Sequence, residues 1–93
     1  MFVVMSIHHP HPEFEAALIE SMHRFGAAVR GKQGCREIHS LKDAGSGALI
    51  GLGIFDSRED WDRLAPLARA AVKDDDFDVW EETEPEGFLL SEV

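Results

Sequence analysis

Three histidines lie close together near the start of the chain, at His8, His9 and His11. Imidazole is a common ligand of zinc, copper and nickel, so the cluster raises the question of a metal site. On an extended strand His8 and His9 point to opposite faces, whereas a closed zinc site needs four ligands in a tetrahedron. We therefore interpret the cluster as a solvated loop and expect no bound metal. The alternative role of His8 is that of a proton acceptor at the edge of a cleft.

Cys35, Glu37 and His39 alternate along a second candidate strand and are expected to share one of its faces. Residues two or four apart on a strand are separated by about 7 or 13 Å, beyond the hydrogen-bond reach that a working Cys and His pair needs. We therefore interpret Cys35 as structural. His39 falls in the middle of the strand, where a buried neutral imidazole accepts a phenolic proton. We predict His39 or His8 as a catalytic base, and the alternative for His39 is a core or interface histidine.

Trp61 lies on the apolar stripe of a predicted helix, which makes it first of all a core residue. In the alternative interpretation its ring lines a cleft and stacks on a flat ligand. Gly51 and Gly53 lie on the same strand face as Phe55, and glycine weakens a strand unless something must approach closely. We therefore predict Trp61, Gly51, Gly53 and Phe55 as the binding residues for a small aromatic or apolar ligand.

Residues 48–55, which position these glycines, are apolar or glycine without interruption, a pattern typical of a central strand covered on both faces. An acidic helix start follows directly. Asp56 or Ser57 is the predicted N-cap, and Glu59 and Asp60 place negative charge at the positive end of the helix dipole. The segment therefore predicts a strand that runs straight into a helix.

The remaining pattern predicts three further strands and one further helix. Apolar spacings of three and four residues indicate a helix from 13 to about 30, and Pro66 inside the second helix predicts a kink or a restart. An acidic run at 74–85 is expected to be an irregular solvated loop. The other predicted elements are strands at 2–8, 35–42 and 87–93 and a hairpin turn at 43–47.

The predicted order of strand, helix, strand, strand, helix, strand indicates an α+β, ferredoxin-like βαββαβ fold in a single domain, 1–93. A helical crossover makes the first two strands parallel with at least one strand between them, while the hairpin makes the second and third antiparallel. Two helices then cover one face of an antiparallel sheet. Strands that are apolar on both faces leave the other face exposed, which soluble monomers rarely tolerate. We therefore expect a homodimer in which two sheets cover each other.

Composition excludes several classes of partner. The formal charge of −9 opposes binding to nucleic acid or to an anionic membrane surface. One cysteine, Cys35, forms no internal disulfide. The opening seven residues lack a basic region and form too short an apolar run for a signal peptide or a membrane span. We expect a cytoplasmic protein.

The chain resembles the antibiotic biosynthesis monooxygenase family of the dimeric α/β barrels over essentially its whole length. The resemblance rests on the strand at 2–8 with its proline-bearing loop, on Gln33-Gly34-Cys35-Arg36, and on the junction at 54–61 with its Asp-Ser-Arg-Glu-Asp-Trp segment. It implies a dimer whose sheets close a barrel, with a cleft in each subunit between helices and sheet.

The resemblance also implies a function. Similar proteins oxidise small aromatic or quinol-like molecules with molecular oxygen and no bound cofactor, and others bind and degrade haem. This chain has no Asn and no Tyr, so the asparagine of the haem-degrading relatives and a tyrosine-assisted oxygenase site are both excluded. We predict a cofactor-independent monooxygenase acting on an aromatic, quinol or polyketide-like molecule. The alternative is a non-catalytic barrel that binds a small apolar ligand or serves a stress or regulatory role.

Overall fold

The fold was analysed in a computed structural model that describes all 93 residues, Met1–Val93. A short 3₁₀ turn at Pro12–Phe14 precedes the first α-helix. The elements are β1 (Phe2–His8), α1 (Glu15–Val29), β2 (Cys35–Lys42), β3 (Leu49–Phe55), α2 (Arg58–Ala71), α3 (Phe77–Trp80) and β4 (Glu86–Ser91).

The four strands form one sheet in the order β2-β3-β1-β4, and every neighbouring pair is antiparallel. Because β3 lies between β1 and β2, the two strands joined by α1 run parallel, as the chain order predicts. The α+β, ferredoxin-like fold is thus confirmed. None of the helices is both long and apolar enough to cross a membrane.

The sheet register assigns each residue to one of two faces. Phe2 lies opposite Phe55, and Val4 lies opposite Gly53, so these positions share the face that carries α1 and α2. The buried core fills the space between that face and the helices. Its members are Phe2, Val29, Phe55, Trp61, Leu64, Ala65 and Ala68.

Of the two predicted N-cap residues of α2, Asp56 and Ser57, the structure has Ser57, whose hydroxyl oxygen accepts a hydrogen bond from the Asp60 backbone N–H at 3.2 Å. The same hydroxyl donates to the Asp60 carboxylate at 2.7 Å, and this hydrogen bond lowers the pKa of Asp60. Of the kink or restart predicted at Pro66, the restart is wrong, because α2 continues as one helix through it. Pro66 lies on the exposed side of the helix, where water can hydrate the carbonyl group that loses its partner.

The face of the sheet opposite the helices, which we call the open sheet face, is mainly apolar and is uncovered in the single chain. Strand alternation places side chains from all four strands on it. Its apolar members are Val3, Met5, Ile7, Leu41, Ile50, Leu52, Ile54, Phe88 and Leu90.

The expectation of an irregular loop at 74–85 is wrong in part, since the helical turn α3 lies inside this segment. The segment is also tied to the loop after β1, because the His11 N–H donates to the Trp80 carbonyl at 2.9 Å and the Glu82 N–H donates to the His9 carbonyl at 2.8 Å. It therefore has a fixed position beside the end of β1.

Candidate functional site

A cleft of about 590 Å³ lies between the helices and the sheet and is closed at one end by the segment at 74–85. Its size suits a small organic ligand, because such sites usually measure about 300–1,000 Å³. Its lining combines apolar side chains with a few polar groups. The lining includes Val4, Ser6, His8, Leu18, Met22, Phe25, Ile38, Gly51, Gly53, Phe55, Trp61, Phe77, Asp78, Glu81 and Glu84.

Gly51 and Gly53 of β3 line the cleft, but neighbouring side chains already occupy the space directly over them. A Cβ atom on Gly51 would lie 2.8 Å from the Ser6 hydroxyl oxygen, and one on Gly53 would lie 2.8 Å from the Phe55 ring. Both distances are shorter than side-chain atoms tolerate. Glycine is therefore required here because neighbouring side chains lean over the strand.

Trp61 is a core residue, as the first interpretation predicts, and its ring also borders the cleft. Only 6% of the residue is exposed, and it belongs to the hydrophobic core. Its ring packs against Phe55 at a centroid distance of 5.1 Å and against Phe25 at 6.3 Å, and all three residues line the cleft. Such aromatic pairs stabilise packing beyond their buried area. The part of the cleft wall that contains Trp61 is therefore a fixed aromatic surface.

His8 is the last residue of β1, and its imidazole is held inside the cleft by two hydrogen bonds. Nδ1 lies 2.9 Å from Glu81 Oε1, and Nε2 lies 2.9 Å from the Ser6 hydroxyl oxygen. Only 13% of the His8 side chain and 2% of the Glu81 side chain are exposed. The solvated-loop interpretation is therefore wrong for His8, because Glu81 and Ser6 draw its ring into the cleft.

Glu81 is an unusual residue at this position. Carboxylates are rarely buried without compensating partners, and its Oε2 atom is buried with no hydrogen-bond partner. Its other oxygen, Oε1, forms its only side-chain hydrogen bond with His8 Nδ1. Glu81 thus places a buried carboxylate against the His8 imidazole at the wall of the cleft.

His39 is not brought together with the other predicted site residues. It borders the cleft between Ile38 and Ser40, but strand alternation turns its imidazole to the open sheet face. There it lies 3.0 Å from the Glu37 carboxylate, and 47% of the side chain is exposed. The expectation of a buried imidazole is therefore wrong for the single chain.

Cys35 does not share a face with Glu37 and His39, contrary to the sequence-based expectation. A bulge between Cys35 and Glu37 shifts the register of β2, so the thiol packs against the core instead. Burial raises the pKa of the Cys35 thiol, while the nearby Arg30 charge opposes the shift. A thiol with a raised pKa is a poor nucleophile at neutral pH, which agrees with a structural role.

The charge around the cleft is mainly negative. Asp78, Glu81 and Glu84 contribute carboxylates, whereas Arg69 is the one permanently charged cation in the lining. Like charges repel more strongly where solvent is partly excluded. No three His, Cys, Asp or Glu side chains are grouped so that they could hold a metal ion. The site therefore favours a neutral or cationic ligand over an anionic one.

Asp75 anchors the segment that carries Glu81. Its carboxylate accepts a hydrogen bond from the buried Ser21 hydroxyl at 2.6 Å and one from Arg24 at 3.1 Å. The hydrogen bond from Ser21 is the main cause that lowers the pKa of Asp75, with Arg24 adding to it. The acidic run is therefore not only a solvated surface, because one of its carboxylates fastens it to α1.

We expect replacement of Asp75 with alanine to destabilise the protein at neutral pH and to do so progressively less as the pH falls below the unfolded pKa of about 4. A carboxyl group whose pKa is lower in the folded state stabilises that state above the unfolded pKa of about 3.9, and this stabilisation is lost as the pH falls through the folded pKa. Urea unfolding of both proteins at about pH 7 and at about pH 3 measures the difference.

The exposed neighbour Asp74 provides the control, since alanine at that position leaves the Ser21 and Arg24 contacts intact. The account of Asp75 is wrong if Asp75→Ala and Asp74→Ala unfold at the same urea concentration at neutral pH.

Comparison with known proteins finds the same fold in solved structures. No family model and no curated protein sequence matches the chain. Rv0793 from Mycobacterium tuberculosis is similar with a TM-score of 0.82 and 19% identity, over 99% of this chain and 94% of that one. A crystal structure of an antibiotic biosynthesis monooxygenase has a TM-score of 0.69 and 16% identity, over 100% and 99% of the two chains.

A third similar structure is a point mutant of MhuD with two manganese protoporphyrin IX molecules bound per active site. It has a TM-score of 0.75 and 17% identity and covers 100% of this chain and 95% of that one. At these identities the similarity establishes the arrangement of the backbone. The chain therefore has the α+β fold of the antibiotic biosynthesis monooxygenase structures.

Proposed function

We propose that the protein is a cofactor-independent monooxygenase that oxidises a small, neutral, hydroxylated aromatic or quinol-like molecule with molecular oxygen. The observation that carries the proposal is His8, an imidazole oriented from both ring nitrogens at the wall of an apolar cleft. The shared fold with antibiotic biosynthesis monooxygenase structures supports the same reaction class.

His8 is the proposed base. In this proposal the Glu81 carboxylate acts as the acceptor that keeps the His8 proton on Nδ1, which leaves the Nε2 lone pair directed at the Ser6 hydroxyl. A phenolic proton reaches Nε2 either directly or through that hydroxyl. His39 has no such role in this proposal, because its imidazole lies on the opposite face of the sheet.

Trp61 and Phe25, which pack together with the fully buried Phe55 ring, form the proposed platform for the aromatic ring of the substrate. Stacking on a fixed aromatic wall orients the reacting carbon and excludes water from it. The carboxylates around the cleft select against acidic substrates, which supports a neutral quinol or polyketide-like molecule.

The proposed chemistry draws its electrons from the substrate. Loss of a proton to His8 gives a carbanion delocalised over the ring, and this carbanion adds O₂ at carbon. The O–O bond of the resulting peroxide breaks with loss of water, so that a CH₂ group and O₂ become a carbonyl group and H₂O. No other reductant is required for this balance.

We also propose that the protein is a homodimer joined through the open sheet face and that it acts in the cytoplasm. Nine apolar side chains on one side of a sheet form a larger apolar surface than soluble monomers usually expose. His39 and Glu37 would then lie within the interface. The single free cysteine supports a reducing compartment.

A second function is supported by the absence of Asn and Tyr from the chain. The cleft then lacks two residue types that polar oxygenase sites use, and the protein is instead a non-catalytic barrel that binds a small apolar ligand, in a stress or regulatory role. Oxygen uptake with a panel of quinols separates the two functions, since a pure binding protein consumes no O₂.

Both functions require that a flat aromatic ligand occupy the cleft. We expect a naphthoquinol to change the fluorescence of Trp61 saturably in a Trp80→Phe variant, because the ring lies in the cleft wall. The converse variant, Trp61→Phe, leaves only Trp80, which packs against Phe77 outside the aromatic wall, and serves as the control. Unchanged fluorescence in the Trp80→Phe variant would contradict binding of the ligand in the cleft beside Trp61.

A further inference from the structure

We propose that Ser6, His8 and Glu81 form a nucleophilic triad, and that Ser6 accepts acyl groups from small neutral esters bound in the cleft. The Ser6 hydroxyl oxygen lies 2.9 Å from His8 Nε2, and His8 Nδ1 lies 2.9 Å from Glu81 Oε1. This is the arrangement in which a serine is activated by a base that a carboxylate orients. The activity uses the same cleft but needs no oxygen.

The roles of the three groups follow from their hydrogen-bonding capacity. The acceptor-only carboxylate of Glu81 fixes the proton on Nδ1, so Nε2 is left as an acceptor for the Ser6 O–H. Glu81 is a positioning residue, and its near-complete burial strengthens its interaction with the imidazolium that forms during the reaction. Ser6 and His8 are two residues apart on one strand, and alternation directs both into the cleft. The sequence-based argument that such a spacing lies beyond hydrogen-bond reach is wrong for this pair, because the long histidine side chain spans the backbone separation of about 7 Å.

The surroundings of Ser6 leave room for an acyl group. Its neighbours across the sheet are Gly51 on β3 and Gly87 on β4, so no side chain flanks the hydroxyl in either adjacent strand. A Cβ atom on Gly51 would collide with the Ser6 hydroxyl oxygen, whereas one on Gly87 would meet nothing within 4 Å. There is therefore free space beside the Ser6 hydroxyl on the side of Gly87, whereas the Gly51 backbone lies close to it on the other side.

The substrate class follows from the apolar lining and the negative charge of the cleft. An uncharged aryl or alkyl ester fits both, and an ester with a free carboxylate is repelled by Asp78 and Glu84. In the reaction, Ser6 oxygen bonds to the ester carbonyl carbon while His8 Nε2 takes the hydroxyl proton. The bond to the leaving alcohol breaks as His8 returns the proton to it. Water then hydrolyses the acyl-serine to a carboxylic acid and free Ser6.

The structure also predicts that turnover is slow. Ser6 lies in a strand paired on both sides, so the N–H groups around it belong to the sheet and do not form a free pair of donors for the oxyanion. The absence of one such donor alone lowers kcat by about 10²–10³. A covalent acyl or phosphonyl adduct on Ser6 is therefore the appropriate readout.

The test is labelling of the purified protein with a fluorophosphonate and with p-nitrophenyl acetate, measured by intact mass and peptide mapping. We expect one adduct per chain on Ser6, none at that position in Ser6→Ala, and a labelling rate lowered by about 10²–10⁴-fold in His8→Gln. Glu81→Gln should lower the rate while circular dichroism remains unchanged. Ser40→Ala removes another cleft serine that has no histidine partner and should label as the wild type does.

Absence of an adduct in the wild type, or an adduct that maps to a residue other than Ser6, would overturn the triad. Equal labelling of the wild type and His8→Gln would overturn the role of His8 in it. Labelling is performed without oxygen, and oxygen uptake is measured without ester. The triad and the proposed oxygenase can therefore each fail while the other stands.

Discussion

Replacement of Leu52 with aspartate is expected to convert the proposed homodimer into monomers. Leu52 lies near the centre of the open sheet face, opposite Met5 on β1 and His39 on β2. Since two-fold symmetry places the same position in both subunits, a single substitution introduces two carboxylates into the interface.

The expected effect is large for two physical reasons. Burial of a leucine side chain contributes about 1.5–3 kcal/mol, and this contribution is lost. Burial of an unpaired carboxylate costs several kcal/mol for each ion. Since about 1.4 kcal/mol corresponds to a tenfold change, the dissociation constant should rise by at least about 10³-fold.

Analytical ultracentrifugation of both proteins measures the change. The wild type should sediment at twice the chain mass of 10.4 kDa, and Leu52→Asp at the chain mass. Leu67→Asp provides the control, because Leu67 is an exposed leucine on the outer side of α2. Should Leu52→Asp unfold, the concentration dependence of the wild type still decides the question. A wild type that sediments as a monomer at micromolar concentration would contradict the dimer.

The fold could be predicted because its signals are local and repeat along the chain. The apolar run of β1, the apolar spacing in α1 and the cap at Ser57 each depend on residues within a few positions of one another. The structure differs from the prediction where the surroundings of a residue in the fold outweigh its local sequence preference. Pro66 interrupts α2 in sequence terms, but its exposed position lets the helix continue.

The candidate site was predictable only in part. Gly51 and Gly53 indicate a cleft because they are glycines inside an apolar strand. Trp61 indicates one because it is a large aromatic residue on the apolar side of the next helix. Ser6 carried a signal as well, since it is the one polar residue inside the apolar β1 strand and lies two positions before His8. Glu81 carried none, because it lies 73 residues from His8 within a run of other acidic residues. Its pairing depends on how the segment at 74–85 packs.

His39 illustrates the opposite error. Its position in mid-strand suggested burial, but the face on which a strand residue lies depends on register, and the bulge after Cys35 changes the register of β2. Only the pairing with β3 shows that Ile38 and Ser40, and not His39, direct their side chains toward the helices.

His8→Gln is expected to lower kcat/KM for quinol oxidation by about 10²–10⁴-fold, the contribution typical of a positioned general base. Glutamine is similar in size and retains hydrogen-bonding atoms, but it accepts no proton from a phenol at neutral pH. The fold should remain intact, because the His8 side chain lies outside the hydrophobic core. His9→Gln is the matched control, since His9 does not line this cleft.

Oxygen uptake by the wild type, His8→Gln and His9→Gln with a panel of neutral quinols tests the proposed function most directly. We expect stoichiometric O₂ consumption by the wild type and His9→Gln, and a rate near that of buffer for His8→Gln. No uptake above buffer by the wild type with any quinol, or equal uptake by the wild type and His8→Gln, would contradict a monooxygenase in which His8 is the base.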